Sequence, residues 1–499
     1  MRICLINPPQ TSLTSKNELP PVFFPMGIAY IAAVLKMRKE DVTVIDAHAE
    51  GFDNVKINGN KYYSGLGYDE IESRIKAIDP HIVGLSIQFS FNERSALNLA
   101  RFIKKMNPQI ILILGGPHPT VRFDELLSNE DIDYIIIGEG EETIVDLIDA
   151  LKYKKNVEEV KGIAFKKNNK IIRTGLRKNV ANLDLIPFPA WELLPMENYF
   201  RAHKLKRSPI RYIMDSRYVS VITSRGCPYS CNFCSIHSTM GRKFRPRNPG
   251  MVITEIEYLK KKYGIKHVNF EDDNISLDLN RFKQICKLII DHKLNITWST
   301  PNGIRADKLD EDAVRLMKQS GCKRVFVAPE SGVQRVLEEI IHKKMDLSKI
   351  EDAIRMFKKY KITVDASFVI GLPGETKDDI ENTIRYAIKL KNLGVKYSGF
   401  NIATPLYGTD LYKEVISKGY LKKNVSSDLF STNEAVIETP EYTADEILNY
   451  REMAELRVNY GLIKLLKGFV SNIGKPTKIK SALKRLIISQ KFGSIHNTK

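Results

Sequence analysis

Six cysteines among 499 residues are too few for a disulfide-stapled scaffold. Aliphatic runs such as Ile110–Leu114 and Ile135–Ile137 fall far short of the about 18–20 apolar residues that cross a bilayer. The chain opens as a strand, Met1-Arg-Ile-Cys-Leu-Ile, and not as a signal peptide. A Gly-x4-Gly-Lys-Ser/Thr loop is missing, which leaves nucleotide hydrolysis unsupported. No basic groove interleaved with aromatics argues for nucleic acid as a partner. These absences predict a protein of a reducing cytoplasm. A hydrophobic fraction of 43% with 27% charged residues is that of a folded chain, and the length allows two to four domains at about 100–200 residues each.

What is present is uneven. The net charge is +18, and the last forty residues, Tyr460–Lys499, hold nine Lys/Arg and no Asp or Glu. Apolar residues alternate with lysines there (Leu462, Ile463, Leu465, Leu466, Phe469, Val470). The pattern reads equally as a basic amphipathic segment in peripheral contact with a membrane and as a helix packed on the protein's own body.

Apolar runs and amphipathic stretches alternate twice along the chain. Residues 1–151 contain strand candidates Ile3–Ile6, Val42–Asp46, Ile82–Ile87, Ile110–Leu114 and Tyr134–Ile137, separated by helical patterns. This predicts α/β architecture with a doubly wound parallel sheet. Ligands of such sheets sit at the carboxyl ends of the strands. Those ends carry Asn7-Pro8-Pro9, Asp46-Ala47-His48, Gly115-Gly116-Pro117-His118 and Gly138-Glu139-Gly140-Glu141, small-residue loops suited to a bulky planar or phosphate-bearing ligand. Residues 152–215 read as a hairpin with an Asn turn followed by a Pro-rich linker, Ile186–Trp191. Residues 216–404 resume the alternation with six βα units, which predicts a partial (βα)6 barrel, and 405–499 read as mostly helical.

Cys227-Pro-Tyr-Ser-Cys231-Asn-Phe-Cys234 follows the first strand of the second unit. Three closely spaced thiolates can take three irons of a [4Fe–4S] cubane and leave the fourth open to an exchangeable ligand. The alternative is zinc, with His237 completing a Cys3His set. Cys4, Cys286 and Cys322 fall in separate elements, so one cluster is expected.

On these residues the chain resembles the radical S-adenosylmethionine (SAM) enzymes. The resemblance implies cluster ligation by Cys227, Cys231 and Cys234, and SAM chelated to the open iron and cleaved to a 5′-deoxyadenosyl radical. Phe233 matches the family's aromatic near the adenine. The run Phe270-Glu271-Asp272-Asp273-Asn274 looks like the acidic motif that accepts hydrogen bonds from the SAM amino group, with Glu271 and Asp272 both candidates; a helix N-cap run is the other reading. Glu330 resembles the contact to SAM ribose or methionine, and Ile370-Gly371-Leu-Pro-Gly374-Glu375 the adenine-side strand and turn, though its spacing departs from G-x-I-x-G-x-x-E.

Residues 1–151 resemble the cobalamin (B12)-binding domain that precedes the radical core in cobalamin-dependent members. This implies a corrin over the strand ends and a nucleotide tail running past Ser86, Gly115, Gly116, Gly138, Glu139 and Gly140. Asp46-Ala-His48-Ala-Glu-Gly51 matches a cobalt-ligating D-x-H-x-x-G signature, but after the second strand and not the first, so the cobalt is expected to have no protein imidazole; His118 is expected near the corrin. By the same resemblance the reaction is methylation of an unactivated carbon of a small-molecule or lipid-like substrate, with flavodoxin or ferredoxin as reductant. The alternatives are a radical oxidative cyclase of the anaerobic protoporphyrin-ester type and, from another class, a zinc- and cobalamin-binding sensor.

Overall fold

Strands buried on both faces lose the period-two alternation and read as continuous apolar runs. In the computed structural model, which describes residues 1–13, 19–58, 61–208, 217–423 and 425–460, these runs form two parallel sheets. In the first, β1 (Arg2–Asn7), β2 (Asp41–Asp46), β3 (Ile82–Ser86), β4 (Ile111–Gly115) and β5 (Tyr134–Ile136) pair in parallel in the spatial order β2-β1-β3-β4-β5. Alternation decides which side chain serves which face. Ile3 and Leu5 pack with Ile28, Ala29 and Ala32 of the helix Met26–Met37, whereas Cys4 and Ile6 pack with Ile71, Ile75, Leu99 and Ile103 on the other side. The order reverses between β1 and β3, the crevice where open α/β sheets bind ligands.

The hairpin expected in the connecting segment is β6 (Ile163–Lys167) and β7 (Lys170–Arg173), turning on Asn168 and Asn169, both at positive φ (49° and 59°). It pairs antiparallel with β5 and extends the first sheet to Arg173, past the boundary expected at residue 151. The Pro-rich stretch after it is packed in place. Trp191 is fully buried, and Phe24 lies 5.9, 4.3 and 5.3 Å from the rings of Trp191, Tyr199 and Tyr218, making one core continuous between the two sheets. A small antiparallel sheet of Gln10–Leu13, Lys61–Ser64 and Val55–Asn58, not anticipated from the sequence, flanks the first unit.

The second sheet comprises β8 (Tyr218–Val221), β9 (His267–Phe270), β10 (Thr297–Ile304), β11 (Cys322–Glu330), β12 (Thr363–Ile370) and β13 (Tyr397–Ile402). They are parallel and ordered as in the chain. Its faces differ in chemistry. Val219, Val221, Val268, Phe270, Val364, Ala366, Phe368 and Ile370 pack in the main core. The alternate positions Ser220, His267, Asn269, Ser299, Asp365, Ser367 and Asn401 hydrogen-bond to polar neighbours, several of them across strands, as in Ser299 Oγ to Asn269 Oδ1 at 2.7 Å and Asn401 Nδ2 to Ser367 Oγ at 2.9 Å. Beyond β13, Arg451 Nε of the helix Ala444–Glu455 donates to Phe400 O at 2.8 Å, and Asn459 exchanges hydrogen bonds with the backbone of Ser398, covering that edge strand. The basic tail lies outside the described residues except for Tyr460, and no described helix is long and apolar enough to cross a membrane.

Glu255, on the helix Pro249–Tyr263, is fully buried between the units, accepting from Arg247 Nη1 at 2.6 Å and Trp191 Nε1 at 3.3 Å. Arg247→Met strands that carboxylate and is expected to lower stability by about 3–5 kcal/mol in denaturant titrations. Adding Glu255→Gln removes the stranded charge and is expected to restore part of the loss.

Candidate functional site

The cysteine loop leaves the second sheet just beyond β8. Ser224–Arg225 pairs antiparallel with Arg245–Pro246, and Gly226 follows at φ +84°. A Cβ on Gly226 would lie 2.3 Å from Lys243 O, so only glycine makes this bend. The Gly226 amide donates to Asp273 Oδ2 at 2.7 Å. The three thiols are partly buried, and burial raises their pKa above the usual thiol value; Cys234 is pushed up to about 12, with the Ile236 amide pulling the other way. Arg305 and Lys343 oppose the rise at Cys227 and Cys231. Such a loop favours neutral thiols until a cation compensates the thiolates. Among the described residues no three His, Cys, Asp or Glu side chains are arranged to hold a single ion. Three free, partly exposed thiols on one short loop are the donor set that three irons of a cubane take, each thiolate on its own iron.

Around the thiols the carboxylates divide by role. Asp272, 1% exposed, accepts from the Thr223 amide at 2.7 Å, Thr223 Oγ1 at 2.6 Å and Ser224 Oγ at 2.5 Å. Its oxygens hold the backbone that leads into the loop and are not available to a ligand, which corrects the expectation placed on Asp272. Glu271 accepts from Ser220 Oγ at 2.9 Å on the sheet's polar face. Asp273, not singled out from the sequence, is a carboxylate whose charge reaches both Cys227 and Cys234, and burial raises its pKa to about 6. Glu330 ends β11 beyond a register shift, at φ +67°, and its Oε1 accepts from Lys343 Nζ at 2.8 Å. Lys343 also donates to Ala328 O at 2.7 Å and is a second residue that lacked a sequence signal. Arg305 stacks 3.9 Å above the Tyr229 ring while paired with Asp307.

Phe233 and Cys231 pack against Val369, Leu372, Leu337 and Leu411. Ile370 turns to the opposite, helix-covered face of β12 and its carbonyl accepts from Ala403, so its side chain is not a site contact. The adjoining turn holds Gly371 at φ +84°, with its amide donating to Glu375 Oε2 at 2.7 Å. Glu375 is fully buried, its Oε1 lacks a hydrogen-bond partner, and burial raises it to about 8.

The first unit contributes a largely apolar cavity of about 940 Å³, counting its open mouth, with Ile28, Ile31, Leu85, Ser86, Gly115 and Gly138 among its walls. A Cβ placed on Gly27, Gly115 or Gly138 meets nothing within 4 Å, so these glycines cradle open space that a bulky group would occupy. Gly116 (φ +111°) and Gly140 are close-packed instead, their hypothetical Cβ atoms lying 2.7 Å from Ile87 O and 2.9 Å from Ile31 Cδ1. The cavity's far wall belongs to the second unit: Ile222, Arg225, Thr239 and Met240, residues that bracket the cysteine loop. Glu139 turns its carboxylate to Arg225 Nη1 (3.1 Å), Arg245 Nη1 (2.7 Å) and the Val180 amide (2.9 Å), so the carboxylate joins the units while the residue lines the cavity. Burial works to raise Glu139, but the two arginines outweigh it and hold it below the usual carboxylate range. His48 is buried away from the cavity lining and burial lowers it to about 3, whereas His118 engages Glu93 at 2.6 Å and Ser90 at 3.1 Å through its two ring nitrogens.

Fold and site together define a two-cofactor α/β enzyme, one unit built around a cluster loop and the other around a bulky ligand, sharing a wall. Comparisons with known proteins agree. Residues 221–387 match the radical SAM superfamily and residues 16–148 the B12 binding domain. The chain is 32% identical to an uncharacterized methyltransferase of Pyrococcus horikoshii, covering 90% of both chains, and 29% identical to the cytidylyl-2-hydroxyethylphosphonate methyltransferase of Streptomyces wedmorensis, covering 92% of this chain and 89% of that one. Its fold is similar to that of the cobalamin-dependent SAM radical enzyme OxsB, at a TM-score of 0.70 and 18% identity over 98% of this chain and 71% of the other. It is also similar to the fold of the radical SAM methyltransferase TsrM of Kitasatospora setae, at 0.65 and 16% over 84% and 76%. The chain belongs to the B12-binding radical SAM family, whose cofactors are a [4Fe–4S] cluster, SAM and cobalamin.

Two outcomes test this geometry. Gly226→Ala is expected to cut cluster loading several-fold, read as iron per chain after anaerobic reconstitution. Glu375 has a folded pKa near 8, above its ordinary 4.5, so the folded state holds the proton longer and stability falls as pH rises from about 4.5 to about 8. Glu375→Gln keeps an acceptor for the Gly371 and Leu372 amides, and is expected to flatten that pH dependence in melting curves and to raise stability at pH 8.

Proposed function

We propose that this protein is a cobalamin-dependent radical SAM C-methyltransferase acting on an unactivated carbon of a polar small molecule. The observation that carries the reading is the shared wall: the segments flanking Cys227–Cys234 line the glycine-cradled cavity, so one active site serves both cofactors. When bound, the cluster with SAM supplies a hydrogen-abstracting radical and cobalamin supplies the methyl group. The chain's own residues bind and orient. Cys227, Cys231 and Cys234 would hold three irons, and Arg305 and Lys343 offset the charge of the thiolates. Asp273 and Glu271 present carboxylates for the SAM amino group, Glu330 for its ribose or methionine end, and Phe233 with Gly371 an apolar surface for its adenine. Gly27, Gly115 and Gly138 would admit the cobalamin tail, with Ser86 the polar group beside it. The sheet orders support reading the units as a flavodoxin-like domain, here drawn through the hairpin to Arg173, and a six-unit partial barrel over 216–404.

The polar inner face of the second sheet, with Ser220, Asn269, Ser299, Ser367 and Asn401, favours a polar substrate over a lipid-like one, and the Streptomyces relative's named substrate is of that kind. A flavodoxin or ferredoxin is the fitting reductant for the cluster. The second reading, a radical oxidative cyclase, is favoured by 29% identity over 74% of this chain to the anaerobic magnesium-protoporphyrin IX monomethyl ester cyclase of Synechocystis.

Reconstituted protein is expected to hold about four irons per chain and to cleave SAM; Cys231→Ala is expected to bring deoxyadenosine formation to background. Supplied with deuterated-methyl SAM and a small-molecule cell extract, the enzyme is expected to place the label in a new product. Deoxyadenosine without labelled product would shift the assignment to the cyclase.

A further inference from the structure

We propose that Arg225 couples the two cofactor sites, so that cobalamin in the glycine-cradled cavity and the cluster on the cysteine loop each strengthen the binding of the other; this rests on the cofactor reading above. Arg225 stands two residues before Cys227 and is 4% exposed. Its Nη1 lies 3.1 Å from Glu139 Oε1 and its Nη2 2.6 Å from Glu141 Oε1, and its guanidinium sits 4.8 Å over the ring of Tyr30. Glu139, Gly140, Glu141 and Tyr30 all line the cavity. One rigid fork thus clasps the turn after β5 from the root of the cysteine loop, a geometry lysine does not reproduce.

The far end of the loop is tied to the same turn. Arg245 donates through Nη1 to Glu139 Oε2 at 2.7 Å and through Nη2 to Met240 O at 2.8 Å, and Cys227 N donates to Gly241 O at 3.4 Å. A ligand filling the cavity touches the turn and both ends of the loop, while a cluster orders the loop between those ends. Whichever binds first has ordered part of what the second requires, and linkage makes the effect reciprocal. The parts that would transmit it are buried ion pairs with defined partners.

The test is a ratio. Hydroxocobalamin affinity of the full-length chain is measured anaerobically by absorbance titration, once with the cluster loaded and once after iron chelation. Wild type is expected to bind at least about tenfold tighter with the cluster, within the usual span of coupling between sites. Arg225→Met, compared at equal iron loading, is expected to bring the ratio to within about twofold of one, with Arg225→Lys intermediate. A merely structural arginine would weaken both affinities together and leave the ratio intact. Should Arg225→Met not fold or load iron, Glu141→Gln keeps the Glu139 pair and is expected to lower the ratio several-fold. Electron paramagnetic resonance gives a second readout: cobalamin is expected to shift the reduced-cluster signal in wild type and not in Arg225→Met. A wild-type ratio near one, or an unchanged ratio in both variants, overturns the coupling and leaves the cofactor assignment standing. A chain that binds no cobalamin in either form overturns both.

Discussion

The buried ion-pair lattice of Glu139 and Glu141 with Arg225 and Arg245 is the constraint on which the site depends. Four charged side chains are withdrawn from water where the carboxyl end of the first sheet meets the root of the cysteine loop. Such a lattice adds little net stability, because desolvation offsets most of the Coulomb attraction. Its value is in geometry. Each charge is costly to leave unpaired, so the turn after β5 and the bend at Gly226 are held in one register. Around it the fold adds apolar mass: Phe24, Trp191, Tyr199 and Tyr218 merge the cores of the two units. The segment between the sheets is consequently packed against both units.

The cysteine loop shows how the protein prepares chemistry that its side chains do not perform. Burial disfavours thiolates, so the loop on its own is electrostatically unsatisfied. Arg305 and Lys343, each held by a carboxylate partner, stand close enough to relieve part of that. The surrounding carboxylates serve different ends. Asp272 fixes the backbone, Asp273 faces the thiols, and Glu271 belongs to the polar face of the sheet. Three consecutive acidic residues thus take three roles because successive side chains leave a strand end in different directions.

Much of this was legible beforehand. The parallel strands announced themselves as apolar runs and the Asn168–Asn169 turn as a hairpin. What the sequence does not carry is which way a residue faces. Ile370 sits in the expected motif yet points into the helix-covered core, since its neighbour Val369 occupies the site side of β12. Glu139 lies in the expected glycine-rich turn, yet its partners are arginines about ninety and a hundred residues later, a pairing that no local pattern encodes. Lys343 and Asp273 went unnoticed because a lone lysine and the third member of an acidic run carry no periodic signal. The small sheet of Gln10–Leu13, Val55–Asn58 and Lys61–Ser64 pairs Gln10 with Ser64, a partner far along the chain that no local pattern encodes.

Composition, spacing and hydrophobic period determined the α/β plan with its two parallel sheets and placed three cysteines on one loop. These are properties of short windows of chain, where covalent spacing already limits geometry. The merging of the two sites depended on contacts between distant segments. That Arg225, Thr239 and Met240 wall a cavity whose floor comes from Gly115 and Gly138 follows from how two cores pack together, and packing is selected by the whole chain at once.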